Sequence, residues 1–78
     1  MNLTYGRHIY DSIFVESMID GWGGYELYRS TEGKRVRVAR VAFWDATGEF
    51  VIETFLGDIP LTIAEELARE ARENIKIR

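Results

Sequence analysis

Three β-rich runs separated by two short turns constrain the fold of this chain more than any other feature. Val, Ile, Phe, Tyr and Trp are concentrated in residues 25–30, 35–44 and 50–55, and these residue types favour strands. The turns between the runs contain Gly33 and Gly48, and glycine supplies the positive φ that short hairpin loops need. The pattern therefore predicts two consecutive hairpins that form an antiparallel meander.

The turn lengths also predict the register of the strands. We expect Ser30 opposite Arg35 and Trp44 opposite Glu49, with Arg40 opposite Glu53 as a favourable pair on the face that also carries Tyr25. Uninterrupted alternation then makes both faces apolar. One face would carry Leu27, Val36, Val38, Ala42, Trp44, Val51 and Phe55, and the other Tyr28, Ala39, Val41, Phe43, Phe50 and Ile52.

An antiparallel sheet with one face in water normally alternates between apolar and polar residues. Since a single helix can cover only one face, we expect the N-terminal segment, a second copy or a partner to cover the other. A β-bulge near Arg40 would change which residues face inward and weaken this argument.

The C-terminal region has the clearest helical pattern. From Pro60 to about Glu73 the residues are strong helix formers. Asp58 and Thr62 are both candidate caps, and the proline favours the earlier start. The apolar stripe consists of Ile63, Leu67, Ala71 and Ile75. The tail after Asn74 alternates in a way that would suit a short extended piece.

Residues 8–19 fit a helix or a strand almost equally well, and their density of Ile, Phe and Val slightly favours a strand. We therefore predict one α+β domain over residues 1–78. It contains an antiparallel β-meander of three to four strands with one C-terminal helix packed on a face, in the order β-β-β-β-α. The alternative is αβββα, in which residues 8–19 form a helix.

Composition excludes several classes of site. The 78 residues include no cysteine, which rules out disulfides and thiolate ligands and makes the cytoplasm the expected compartment for so small a domain. No stretch approaches the roughly 20 apolar residues of a membrane span. The net charge of −3 argues against bulk attraction to nucleic acid or to a membrane surface, and no motif indicates a cofactor.

Large aromatic residues are the candidate contacts for a protein partner. Trp22 lies in the glycine-rich segment 21–24, which we expect to be a flexible connection, and aromatic residues on such segments are good interface anchors. The candidates for partner contact are Trp22, Tyr25, Tyr28 and Trp44.

A basic segment suggests a different function. Strands that bind single-stranded nucleic acid combine positive charge with stacking rings. Acidic residues on the next strand, Glu49 and Glu53, would oppose this role. The candidate nucleic-acid contacts are Lys34, Arg35, Arg37 and Arg40.

No arrangement of residues identifies a reaction. His8, the only histidine, matches no metal signature together with Asp11 and Glu16, so we expect no metal site. The sequence does not determine the function. It favours a small non-enzymatic protein-interaction or regulatory module that acts as a homodimer or on a protein partner. The alternatives are single-stranded nucleic-acid binding through residues 34–40, and a ligand or enzyme site at a subunit interface near Trp22 and Tyr25.

Overall fold

The computed structural model describes residues 1–75, which form a five-stranded antiparallel sheet followed by one helix. Each strand pairs with the next one along the chain, so the sheet is a meander. The predicted α+β class and the C-terminal helix are confirmed. The elements are β1 (Asn2–Tyr5), β2 (His8–Ser17), β3 (Trp22–Thr31), β4 (Lys34–Trp44), β5 (Glu49–Thr54) and α1 (Leu61–Asn74).

The N-terminal part confirms one prediction and adds one strand to the predicted topology. Residues 8–17 are a strand, as favoured, and the αβββα alternative is wrong. The chain also has an additional edge strand, β1, which the sequence pattern did not indicate. The extended tail predicted after Asn74 lies mostly outside the described residues.

Short turns fix the register of the meander. Glu32 and Gly33 both have positive φ, 51° and 82°, as a two-residue hairpin turn requires. The predicted opposition of Ser30 to Arg35 is confirmed, as is that of Trp44 to Glu49.

A β-bulge in β4 changes the predicted faces. Leu27 lies opposite Ala39 and Tyr28 opposite Arg37, so Val38 is an extra residue on β4. Because of this residue, Val38 and Ala39 both enter the core, and both are fully buried. The predicted grouping of Val38 with Ala42 and Trp44 on one face is therefore wrong.

The core lies between α1 and the centre of the sheet. We call the sheet side that packs on α1 the helix face and the other side the open face. The apolar stripe of α1 buries Ile63, Leu67 and Ala71 as predicted. On the helix face the fully or nearly fully buried residues are Tyr10, Leu27, Val38, Ala39 and Val41.

The two ends of α1 differ from the predicted capping. Pro60 is the N-cap, with no side-chain cap, so neither Asp58 nor Thr62 caps the helix. The Pro60 carbonyl accepts hydrogen bonds from the N–H groups of Ile63 and Ala64 at 3.0 Å. The helix described within residues 1–75, α1, is not both long and apolar enough to cross a membrane.

Candidate interaction surface

The open face carries a network of arginines, carboxylates and aromatic rings. The bulge at Val38 is the cause, because it places Arg37 and Arg40 on the same side of β4 although an odd number of positions separates them. The members of this arginine network are Asp11, Trp22, Glu26, Tyr28, Arg35, Arg37, Arg40, Glu53 and Phe55.

Glu26 is the buried centre of the arginine network and is only 7% exposed. Its Oε2 lies 2.8 Å from Arg37 Nη1 and 3.9 Å from Arg40 Nη1. The Tyr28 hydroxyl donates to Glu26 Oε1 at 3.2 Å. Arg40 Nη2 also donates to Glu53 Oε1 at 2.8 Å, which confirms the predicted cross-strand pair. A buried carboxylate is tolerated here because two guanidinium groups and a hydroxyl replace its water shell.

The arginines of the network also cover aromatic rings. The guanidinium carbon of Arg35 lies 3.9 Å from the centre of the Tyr28 ring. That of Arg40 lies 4.2 Å from the Trp22 ring, and that of Arg37 4.4 Å from the Phe55 ring. Stacking of this kind is favourable and shields both partners from other contacts.

Of the four aromatic candidates, three lie on the open face. Trp22 begins β3 and faces Trp44, with ring centres 6.0 Å apart, so the segment 21–24 is mostly strand and the flexible connection predicted there is wrong. Tyr28 is on the same face. All three are half-buried, and arginines cover two of them.

Tyr25 lies on the helix face, so its predicted alignment with Arg40 and Glu53 is wrong. Its ring meets Phe14 edge-on at 5.6 Å. Burial, and secondarily the negative charge of Glu70, raise the pKa of Tyr25 above its usual value. Trp22 and Tyr25 thus point to opposite sides of the sheet and do not form one pocket.

The basic segment 34–40 does not present a free positive surface. Arg35 Nη2 lies 2.5 Å from Asp11 Oδ2, and this hydrogen bond raises the pKa of Arg35. Arg37 and Arg40 are paired with carboxylates of the network. Lys34 is exposed at the start of β4. Each arginine that the sequence offered as a nucleic-acid contact therefore has an acidic partner.

The residues around His8 are separated by the fold. His8 Nδ1 lies 2.6 Å from the Thr31 hydroxyl oxygen. Asp11 is on the open face, whereas His8 and Glu16 are on the helix face. Within residues 1–75, no three metal-ligating side chains come together.

A second surface, which the sequence did not predict, lies at the turn end of the β2–β3 hairpin. Ile13 and Phe14 in β2 are 41% and 52% exposed, and Met18 and Ile19 in the turn are 87% and 97% exposed. We call these four residues the β2 tip. The signal in the sequence was the apolar content of residues 13–19 beside the turn-forming Asp20 and Gly21, a segment for which we predicted a strand or a helix but no exposed surface.

A shallow open cleft adjoins the β2 tip. It has a volume of about 650 Å³ and lies between the hairpin end and the C-terminal end of α1. Phe14, Glu16, Trp22 and Asp45 contribute to its lining, whereas Tyr25 does not.

Comparisons of the chain with family models, with curated proteins and with solved structures found no match.

Proposed function

We propose that this protein is a small non-enzymatic protein-interaction module, and that its contact surface is the β2 tip. The supporting observation is the exposure of four large apolar side chains within seven consecutive residues. Exposed apolar residues that stand singly are ordinary, but several of them on one strand edge and its turn are typical of a surface that contacts another protein.

The arginine network supports the same proposal because it already partners two of the competing aromatic candidates. Trp22 and Tyr28 are covered by arginine side chains at 4.2 and 3.9 Å. The carboxylates of Asp11, Glu26 and Glu53 are held in ion pairs. These side chains therefore already have partners within the chain, whereas the four apolar side chains of the β2 tip are exposed.

A second copy of the chain is the partner we favour, which makes the module a homodimer. The cytoplasmic setting expected from the cysteine-free composition stays a prediction.

Site-specific photo-crosslinking in the native cell tests the contact surface. Ile19 is replaced by a photoreactive phenylalanine analogue, and Leu61 receives the same analogue in a matched control. Leu61 is a suitable control because it is 73% exposed but lies at the start of α1. We expect protein adducts from position 19 and not from position 61. Equal yields at the two positions, or none at position 19, would contradict the proposal.

A double substitution, Met18→Asp with Ile19→Asp, tests the same surface by loss of binding. Because both side chains are exposed, the melting temperature should change little, by about 2 °C or less. A photoreactive analogue at Ile13 should then lose its adducts. Adducts that persist in this background would exclude the turn residues from the contact.

A further inference from the structure

The outer side of β2 is only half covered. β1 pairs with His8–Asp11, and the Ser12 N–H donates to the Met1 carbonyl at 3.1 Å. Beyond Ser12, no strand among residues 1–75 pairs with the outer side of residues 13–17, although β3 pairs with their inner side without interruption. Of the residue types that protect natural sheet edges, this segment contains no proline or lysine, and Glu16 is its single charged residue.

The hydrogen-bonding groups on this free edge can be identified. Since Ser12 donates outward to Met1, and successive residues of a strand alternate in direction, the N–H and C=O groups of Phe14 and Glu16 also point outward. The groups of Ile13, Val15 and Ser17 point inward to β3. Each chain thus presents two donors and two acceptors at a fixed spacing.

We propose that a second copy of this chain pairs with this edge, antiparallel and about a two-fold axis at Val15. This inference rests on the proposed function and names its partner. In this arrangement Phe14 lies opposite the partner's Glu16, and the two residues exchange both hydrogen bonds. The symmetric pair does the same, so four hydrogen bonds use every outward donor and acceptor of both segments.

The neighbouring symmetric registers are less favourable, because an axis at Glu16 would place two like-charged Glu16 residues directly opposite each other, and an axis at Phe14 conflicts with a bond that already exists. An axis at Phe14 would place Glu16 opposite the partner's Ser12, whose N–H is bound to the Met1 carbonyl. The axis at Val15 needs only free groups. It also brings Val15 next to the partner's Val15 at the short spacing of a non-hydrogen-bonded pair, and it places Ile13 opposite the partner's Ser17.

The outer edge of β5 is also free within residues 1–75, so pairing of β2 with β5 of another copy is the competing arrangement. The Phe55 N–H donates inward to the Val38 carbonyl at 2.8 Å, so by alternation Ile52 of β5 points its N–H outward. Pairing of β2 with β5 of another copy would leave one free edge at each end of the assembly and would produce open-ended chains of copies. The proposed contact closes on itself and stops at two.

Edge-blocking substitutions test the proposal by sedimentation equilibrium of the full chain. The contact is short, so we expect a dimer with a dissociation constant on the order of 10–100 µM. Glu16→Pro removes an outward N–H and leaves the β2–β3 hydrogen bonds intact, and it should weaken the dimer at least about tenfold. Ile52→Pro, which removes an outward N–H from β5, is the matched control and should leave the dimer unchanged. Loss of association in both variants, or a mass that keeps rising beyond two copies, would overturn the proposal in favour of β2–β5 pairing.

A charge exchange at the axis tests the register without using proline. Val15→Lys and Val15→Glu should each be monomeric, because like charges would face each other across the axis. An equimolar mixture of the two should regain dimers of mixed composition, visible by native mass spectrometry. A mixture that stays monomeric while the wild type dimerises would overturn the register.

These results separate the two proposals. A wild-type chain that remains monomeric above about 200 µM overturns the β2 dimer. If position 19 then still gives adducts with a different protein, the interaction module stands with another partner. If it gives none, both proposals fail.

Discussion

Gly24 occupies the tightest backbone position in the sheet. A Cβ atom at this residue would lie 2.7 Å from the Cα of Ala42 and closer still to the carbonyl oxygen of Val41. Both neighbours are backbone atoms of the adjacent strand, so no side-chain rotation can relieve the contact. Gly23, one residue earlier, has only ordinary contacts at 3.8 and 4.0 Å with the side chains of Glu16 and Phe14. Of these two adjacent residues, only Gly24 must therefore be glycine.

We predict that Gly24→Ala lowers the free energy of unfolding by about 3 kcal/mol, because β3 and β4 must separate locally to admit the methyl group. Gly23→Ala, the matched control, should change it by less than about 1 kcal/mol. Urea denaturation followed by tryptophan fluorescence measures both. Similar losses in the two variants would show that the backbone approach at Gly24 is not the cause.

Tyr25 should make stability depend on pH in the alkaline range. Its pKa is raised by burial and by Glu70, so the folded chain holds the phenol proton to higher pH than the unfolded chain does. The contribution is complete below the usual pKa of about 10 and is lost as pH rises through the folded value. We predict that wild type loses stability relative to Tyr25→Phe as pH rises above about 10. Urea denaturation of both proteins across this range tests the difference, and parallel curves would contradict it.

At the scale of the elements, the bulge in β4 organises both faces of the sheet. It directs Val38 and Ala39 together toward α1 and places Arg37 and Arg40 together around Glu26. Without the extra residue, positions 37 and 40 would lie on opposite sides. The core and the arginine network therefore depend on the same irregularity.

Removing the buried Glu26 should lower the free energy of unfolding more than removing the partly exposed Glu53. Glu26→Ala removes the carboxylate that pairs with Arg37 at 2.8 Å and leaves the mostly buried Arg40 with Glu53 alone, and we expect a loss of about 2 kcal/mol. Glu53→Ala removes a half-exposed partner of the same arginine and should cost about 0.5 kcal/mol. Thermal and urea unfolding of both variants measure the difference. Equal losses would mean that the burial of Glu26 does not determine its contribution.

The sequence predicted the elements whose signals are local. β3, β4 and β5 followed from residue type and glycine turns, and α1 from its four-residue stripe. β1 was not predicted, because a four-residue strand is defined by its pairing with β2 and not by its own composition. The bulge was not predicted for a similar reason. Val38 and Ala39 are both buried because they pack against α1, and the sequence of β4 alone does not indicate this packing.

For the candidate sites too, features with a local sequence signal were predictable, and features that depend on the assembled sheet were not. The pair of Arg40 with Glu53 was predictable from turn length and alternation, whereas the shared face of Arg37 and Arg40 required the bulge. The β2 tip required knowledge of how far β1 pairs along β2, because this pairing stops at Asp11 and leaves Ile13 and Phe14 on an open edge.

At the scale of the whole molecule, opposite charges are paired across the strands instead of being segregated. On the open face, the acids of β2, β3 and β5 neutralise three basic residues of β4, which are Arg35, Arg37 and Arg40. The net charge is −3, and within residues 1–75 these ion pairs interrupt the positive charge along β4. Single-stranded nucleic acid requires a continuous positive groove.

We predict no binding of single-stranded nucleic acid. Fluorescence anisotropy of a labelled oligonucleotide of about 20 nucleotides should stay constant up to about 100 µM protein in about 50 mM salt. The outcome that would contradict this is saturable binding that weakens steeply with salt and is abolished by Arg35→Glu with Arg37→Glu.

The N-terminal ammonium group lies 2.6 Å from Glu70 Oε2 and 2.6 Å from the Ser12 hydroxyl oxygen. Because β1 runs antiparallel to β2, a purification tag fused ahead of Met1 would continue alongside residues 13–17. Such a tag would remove the ammonium charge and could cap the strand edge within the same molecule. Protein purified with an N-terminal tag would then behave as a monomer for a trivial reason, and a tag placed at the C-terminus avoids this artefact.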